Sequence, residues 1–122
     1  MTLLKWQSLT GIFNPFFLML TFMVAGVESS YKSDAVGKVG ELGYFQIKPK
    51  YYPILESDLS IETQLKVFSD FMSSNISEMN RKNINVNLEN VLRVWNGGIG
   101  GMHKKSVNKY IAKYRKKYFW FN

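Results

Sequence analysis

Apolar side chains fill almost every position from Phe16 to Val27, then recur at helical spacing in three later stretches separated by turn-rich sequence. Asn14-Pro15, just ahead of the first stretch, is a helix-start signal. Asparagine caps free backbone N–H groups, and proline suits the first helical position. A helix that is apolar all round needs neighbours on every side, so a central buried helix is predicted from Asn14-Pro15 to about Ser29. Ile61, Leu65, Phe68 and Met72 predict a second helix from Ser60 to about Asn80. A third is expected from an Asn87 cap through Leu88, Val91, Leu92 and Trp95, stopping at Asn96-Gly97-Gly98. The fourth begins near Ser106, with Val107, Tyr110, Ile111, Tyr114 and Tyr118 on one face and Lys109, Lys113, Lys116 and Lys117 on the other.

Between the first two helices, residues 30–59 are punctuated by Gly37, Gly40, Gly43, Pro49 and Pro53, with room for short strands around Gly43 to Ile47. No repeat, low-complexity tract or Pro/Ser-rich linker interrupts the chain. One domain over residues 1–122 is expected, with residues 1–13 as a lead-in to a core from about 14 to 118. Trp6 to Val27 is a run of 22 residues without charge, and Lys5 followed by apolar sequence ending at Ala25-Gly26 imitates a signal peptide. Asn14-Pro15 splits that run and leaves a helix of about 16 residues, roughly 24 Å long. A core helix is therefore expected rather than a membrane span or a clear cleavable signal.

Composition narrows the chemistry. With 122 residues, 46% of them hydrophobic, and nine Phe, seven Tyr and three Trp, the chain can build one real core. It has no cysteine, which excludes disulfides, a thiol nucleophile and Cys-based metal sites. The single His103 is too little for a His-based metal cluster, and no Ser/His/Asp, P-loop or dinucleotide pattern is present. No metal or cofactor is expected.

Charge is uneven. Residues 1–89 hold eight basic and nine acidic side chains, whereas residues 90–122 hold Arg93, Lys104, Lys105, Lys109, Lys113, Arg115, Lys116 and Lys117 and no acid. Such a patch suits nucleic acid, anionic lipid headgroups or the anionic polymers of a bacterial envelope, and it serves equally as a solvated face that keeps a protein in solution. No base-reading motif accompanies it, so nucleic acid is not the expected partner.

The chemistry-bearing residues are sparse. Glu28 is the sole carboxylate in the first 33 residues, at the end of the apolar helix. Partial burial disfavours its ionised form, and the helix C-terminus opposes a carboxylate by roughly 0.3–1 kcal/mol. A carboxylic acid kept protonated near neutral pH is what general acid catalysis requires. Twelve residues on comes Gly40-Glu41-Leu42-Gly43-Tyr44-Phe45-Gln46-Ile47-Lys48-Pro49; later come Trp95-Asn96-Gly97-Gly98 and Tyr110.

Glu-Ser, then Gly-x-x-Gly-x-x-Gln-Ile-x-Pro, then aromatic-Asn-Gly-Gly, then a tyrosine in a final helix: this order resembles the lytic transglycosylases of the soluble type, in the goose-lysozyme-like superfamily, over residues 14 to 118. The resemblance implies a lysozyme-like α+β fold, predominantly helical with at most a small β-hairpin region. It implies Glu28 as the catalytic acid with Ser29 beside it. It also implies a sugar cleft lined by Gly43, Tyr44, Phe45 and Gln46 on one wall and Trp95, Asn96 and Gly97 on the other, with Tyr110 from the closing helix. In that family the glutamate protonates the β-1,4 oxygen between N-acetylmuramic acid and N-acetylglucosamine. It then takes the proton of the muramic 6-hydroxyl as a 1,6-anhydro ring closes.

One acid that also serves as base needs no second carboxylate, whereas an ordinary glycosidase needs two. Asp34, Glu41, Glu56 and Asp58 are the nearest second carboxylates, with Glu41 best placed if a muramidase on the same scaffold adds water. A non-catalytic peptidoglycan-binding module is the alternative from another class. Tyr31, Tyr44, Tyr51, Tyr52 and Trp95 are candidate stacking platforms, and His103 reads as a solvated loop residue. Three features depart from the family pattern. Ser106, Val107 and Asn108 stand where many members carry Glu-Thr-Arg, Trp95 stands where Tyr is usual, keeping a stacking surface but losing a hydroxyl, and the interval from Pro15 to Glu28 is long. Peptidoglycan strands are the expected partner, with anionic envelope polymers on the basic helix. A monomer working in the envelope, periplasm, extracellular space or virion is the implied setting.

Overall fold

The computed structural model describes residues 15–121; the Asn14 cap and the lead-in of residues 1–13 lie outside them. Among the described residues four α-helices carry the fold: α1 (Pro15–Ser29), α2 (Ile61–Arg81), α3 (Leu88–Gly97) and α4 (Lys105–Lys117), with 3-10 turns at Pro53–Glu56 and Ile99–Gly101. The chain is thus predominantly helical. Among the described residues there is no strand. The segment between α1 and α2 is closed by two isolated antiparallel bridges, Val36 to Leu42 and Leu42 to Ile47. Where short strands are expected near Gly43 to Ile47, the chain makes a turn. Leu42 and Ile47 exchange backbone hydrogen bonds of 3.0 and 3.2 Å, and the four residues between them reverse direction.

Helix ends follow local chemistry. The Ser60 hydroxyl accepts the Thr63 N–H at 3.3 Å, and Asp58 reinforces that end by accepting the Ser60 N–H at 2.9 Å and the Thr63 hydroxyl at 2.6 Å. Asn87 caps α3 by accepting the Asn90 N–H at 2.9 Å. Gly98, at φ 72°, ends α3 in the left-handed region that glycine adopts without strain.

The core gathers Leu20, Met23 and Val24 from α1, Phe68, Met72 and Met79 from α2, Val91 and Leu92 from α3, and Ile111 and Tyr114 from α4, all fully buried. Helix α3 packs on both α2 and α4, and α1 packs on α4. The buried stripe of α2 runs Gln64, Phe68, Met72, Ile76, four residues apart; Ile61, expected in the apolar row, is exposed. The predicted face of α4 is found as read: Val107, Tyr110, Ile111, Tyr114 and Tyr118 are all buried.

Helix α1 departs from expectation. It is not central: it buries Phe17, Leu20, Met23 and Val24 but exposes Leu18, Met19 and Phe22. When every face of a helix is apolar, hydropathy cannot say which one is covered. No described helix is long and apolar enough to cross a membrane.

Candidate active site

Glu28 lies in the last turn of α1, partly buried. Its Oε2 accepts two hydrogen bonds, from the Trp95 indole N–H at 3.2 Å and from the Tyr110 hydroxyl at 3.0 Å. Tyr110 has one proton and gives it to Glu28, so the Tyr114 hydroxyl, 2.6 Å away, donates to the Tyr110 oxygen. Three helices thereby meet on one carboxylate oxygen. The Trp95 ring is held edge-on against Phe68 and Phe71 of α2, with centroids 5.2 and 5.1 Å apart. Burial pushes the Tyr110 and Tyr114 hydroxyls well above the usual tyrosine range, which keeps both as neutral donors.

Burial also raises the pKa of Glu28 above the ordinary carboxylate range. The Trp95 and Tyr110 hydrogen bonds and the Lys113 charge oppose that rise, and the negative charge of Glu41 adds to it. With both donors on Oε2, the proton of the neutral acid belongs on Oε1.

Glu28 opens onto a cleft of about 360 Å³. Trp95 and Asn96 at the end of α3 and Phe71 of α2 line it, as do Glu41, Gln46, Ile47, Lys48 and Tyr51 from the loop segment. One further depression shares Lys48 with the cleft; another shares Tyr51 and Phe71 and adds Tyr52, Ser74 and Asn75. The surface around Glu28 is therefore an extended groove. Glu41 has the opposite electrostatics from Glu28. Its own backbone N–H and that of Val39, the latter 2.9 Å from Oε1, hold its carboxyl below the usual range, so one cleft carries an acid biased neutral and an acid biased ionised.

The cleft brings together Glu28, Gln46, Trp95 and Asn96 of the expected residues, with Tyr110 on the Glu28 carboxylate. It does not bring in the rest. The Ser29 hydroxyl is buried and donates back to the Ala25 carbonyl at 2.9 Å, inside its own helix. Phe45 is a core residue, 2% exposed and stacked on Phe68 at 4.1 Å. Tyr44 is half-buried, and its backbone N–H donates to Gln64 Oε1 at 2.7 Å. Gly43, at φ 80°, is where any side chain would run into the Gln64 amide. Gly97 packs flat on α4, where an added Cβ would lie 2.6 Å from Val107 Cγ2.

The physical reason is common to the Gly43–Gln46 turn: it docks onto α2. Gln64 accepts from Tyr44 and donates to the Ser33 and Leu59 carbonyls at 3.0 and 2.8 Å. The turn thus sends Phe45 inward and leaves Gln46 at the cleft, its amide fixed on the Gly43 and Ala35 carbonyls at 3.0 and 3.2 Å.

The other candidates disperse. Asp58 is a helix-end acceptor, Asp34 is exposed, and Glu56 lines the depression beyond Lys48. Tyr31 pairs its hydroxyl with Tyr118 at 2.8 Å, outside the cleft lining, and His103 is exposed. Among the described residues no three His, Asp or Glu side chains converge as metal ligands. The departing positions have structural work: Val107 is buried under α3, and Asn108 accepts from Arg93 at 2.8 Å.

Sequence reasoning missed Gln64, Tyr114 as a hydrogen-bonding residue, and Phe71. Gln64 had a signal, since a polar residue four positions before Phe68 in a buried row needs partners. Phe71 had none. The basic patch is also smaller than the sequence count. Glu89, one residue before the acid-free stretch, pairs with Arg93 at 3.1 Å and with Arg115. The six lysines from Lys104 to Lys117 remain exposed.

Compared with models of known families, with curated proteins and with solved structures, the chain matches none.

Proposed function

We propose that this protein is a peptidoglycan lytic transglycosylase of lysozyme-like fold, working on glycan strands at the cell envelope. The observation that carries the reading is Glu28: a cleft-lining carboxyl whose pKa burial raises, held through Oε2 by Trp95 and Tyr110. Support also comes from the order of the parts: a glutamate at a helix end, a loop segment bordering a groove, and two later helices supplying an aromatic-Asn pair and a tyrosine. Two further depressions adjoin the cleft, one through Lys48 and the other through Tyr51 and Phe71, giving room for a polymer. Tyr51 and Trp95 offer rings, and Asn96 and the Gln46 side-chain carbonyl oxygen polar groups, to sugar rings and acetamido groups.

In this mechanism Glu28 gives its proton to the bridging β-1,4 oxygen as the bond to muramic C1 breaks, and the N-acetylglucosamine end leaves as an alcohol. The Glu28 carboxylate then takes the proton of the muramic 6-hydroxyl, whose oxygen bonds to C1 and closes the 1,6-anhydro ring. The acid is restored and no water is consumed. Trp95 and Tyr110 stabilise the carboxylate between the two proton transfers. The lysines of α4 attract an anionic envelope.

A second reading is favoured by Glu41. An ionised carboxylate lining the same cleft is the partner that hydrolysis would use, giving a muramidase. Mass spectrometry of fragments released from purified peptidoglycan by the wild type and by Glu28→Gln tests both. Products ending in 1,6-anhydro-muramic acid, absent with the variant, support the transglycosylase. Reducing ends transfer the case to hydrolysis, and no release by folded wild type leaves a glycan-binding module.

A further inference from the structure

Helix α1 presents two different surfaces. Glu28 faces the cleft, whereas Leu18, Met19 and Phe22 are exposed at 45, 39 and 54%. At about 100° per residue, Phe22 lies roughly 120° around the helix from Glu28, so the exposed stripe and the cleft do not compete for one surface. The stripe does not end with α1. The Phe22 ring meets Tyr31 at 5.2 Å and Tyr118 at 5.7 Å, and Tyr118 meets Trp120 at 5.7 Å. Trp120 is 46% exposed and Phe119, beside it, 89%. One contiguous apolar tract thus joins the flank of α1 to the chain just after α4; Tyr118 roots it in the core, while Phe22, Phe119 and Trp120 stay exposed. A patch of this kind, rich in aromatic residues, marks an interaction surface.

Its charge surroundings select the partner. The two stretches that build it, residues 15–31 and 105–121, contain five lysines, Arg115 and a single acid, Glu28. Arg115 is committed to Glu89, and Glu28 is turned into the cleft. Lys117 lies at the edge of the tract, its Nζ 5.6 Å from the Tyr31 ring centre, and Lys113 and Lys116 are exposed on the same helix. A second copy of the chain would bring like charge against like. An anionic polymer would need the lysines and leave the aromatics unused.

We propose that this tract is a docking surface for an anionic lipid bilayer. Phe22, Phe119 and Trp120 enter the boundary between headgroups and acyl chains, and Lys116 and Lys117 meet lipid phosphates. The docking is interfacial, and it stands independently of the glycan reading. It leaves the cleft of Glu28 on a different side of α1, open to a strand.

The test is co-sedimentation of the full chain with phosphatidylcholine vesicles, with and without phosphatidylglycerol, alongside tryptophan emission. The wild type is expected to bind the phosphatidylglycerol vesicles with a blue shift. The double variant Phe119→Ser/Trp120→Ser, with unchanged far-ultraviolet circular dichroism, is expected to bind at least ~10-fold more weakly. Lys116→Gln/Lys117→Gln is expected to lose the preference for the anionic lipid. Four results overturn the proposal: no vesicle binding by the wild type; equal binding by the aromatic variant; a wild-type dimer that Phe22→Ser dissociates; or binding to anionic wall polymer with none to lipid. Glu28→Gln should bind vesicles as the wild type does, which separates this surface from the catalytic reading.

Discussion

The indole N–H of Trp95 donates to Glu28 Oε2 at 3.2 Å, although the two residues are 67 apart in the chain. Tryptophan at this position puts a ring at the cleft and a donor on the acid itself. The same bond works against the burial that raises the Glu28 pKa. Trp95 therefore bears on both the shape of the cleft and the proton affinity of the group proposed to work in it.

Activity should fall as pH rises through the raised pKa of Glu28, because the proton-donating form is lost. Trp95→Phe and Tyr110→Phe each remove a bond that favours the carboxylate, so each should move that alkaline limb to higher pH. Rates of glycan release against pH for the three proteins check this; limbs that coincide would show that these bonds do not tune Glu28.

Stability should carry the same signature. Between the ordinary carboxylate value of 4.5 and the raised value in the fold, the folded protein holds a proton that the unfolded chain releases. Unfolding free energy attributable to Glu28 is then present below that window and is lost as pH rises through it. Glu28→Gln should flatten the slope, measurable as Tm against pH; parallel curves for variant and wild type would sink the raised pKa.

Glu41→Gln separates the two chemistries. If Glu28 alone is acid and base, the variant should release anhydro-ended fragments within about tenfold of the wild-type rate, against the 10²- to 10⁴-fold expected of a general acid–base group. Should Glu41 activate water, reducing-end products disappear with it. Liquid chromatography of the released muropeptides decides.

Gln64→Ala should destabilise the fold by about 3 kcal/mol in urea unfolding, because it leaves the Tyr44 N–H and two loop carbonyls without their partner near the core. Glycan release should fall as well, since the segment it anchors carries Glu41 and Gln46 to the cleft. A change under about 0.5 kcal/mol would mean that water replaces the amide without cost.

Glu89→Gln should cost about 1 kcal/mol at low salt and less at high salt. It removes the carboxylate partner of Arg93, whose side chain is only 12% exposed and keeps its bonds to Asn108 and the Met102 carbonyl, and of Arg115, which is 43% exposed. Thermal melts at two ionic strengths read this, and a loss that salt leaves unchanged would assign the effect to packing.

The four helices of the described residues and most of their ends are legible along the chain, because caps and stops are local: Ser60, Asn87 and Gly98 act on residues three or four positions away. The sequence also singles out Glu28, since a lone carboxylate after a dozen apolar residues stands out in any reading. Which of the motif residues reach the cleft depends instead on long-range packing. In the segment from Gly43 to Gln46, one contact with Gln64 turns Phe45 into the core and leaves Gln46 outside, and no local pattern encodes a partner 20 residues away. The exposed apolar side of α1 and the pairing of Glu89 with both Arg93 and Arg115 are likewise tertiary facts. Periodicity and charge counts run along a line, whereas burial and pairing depend on which distant surfaces arrive.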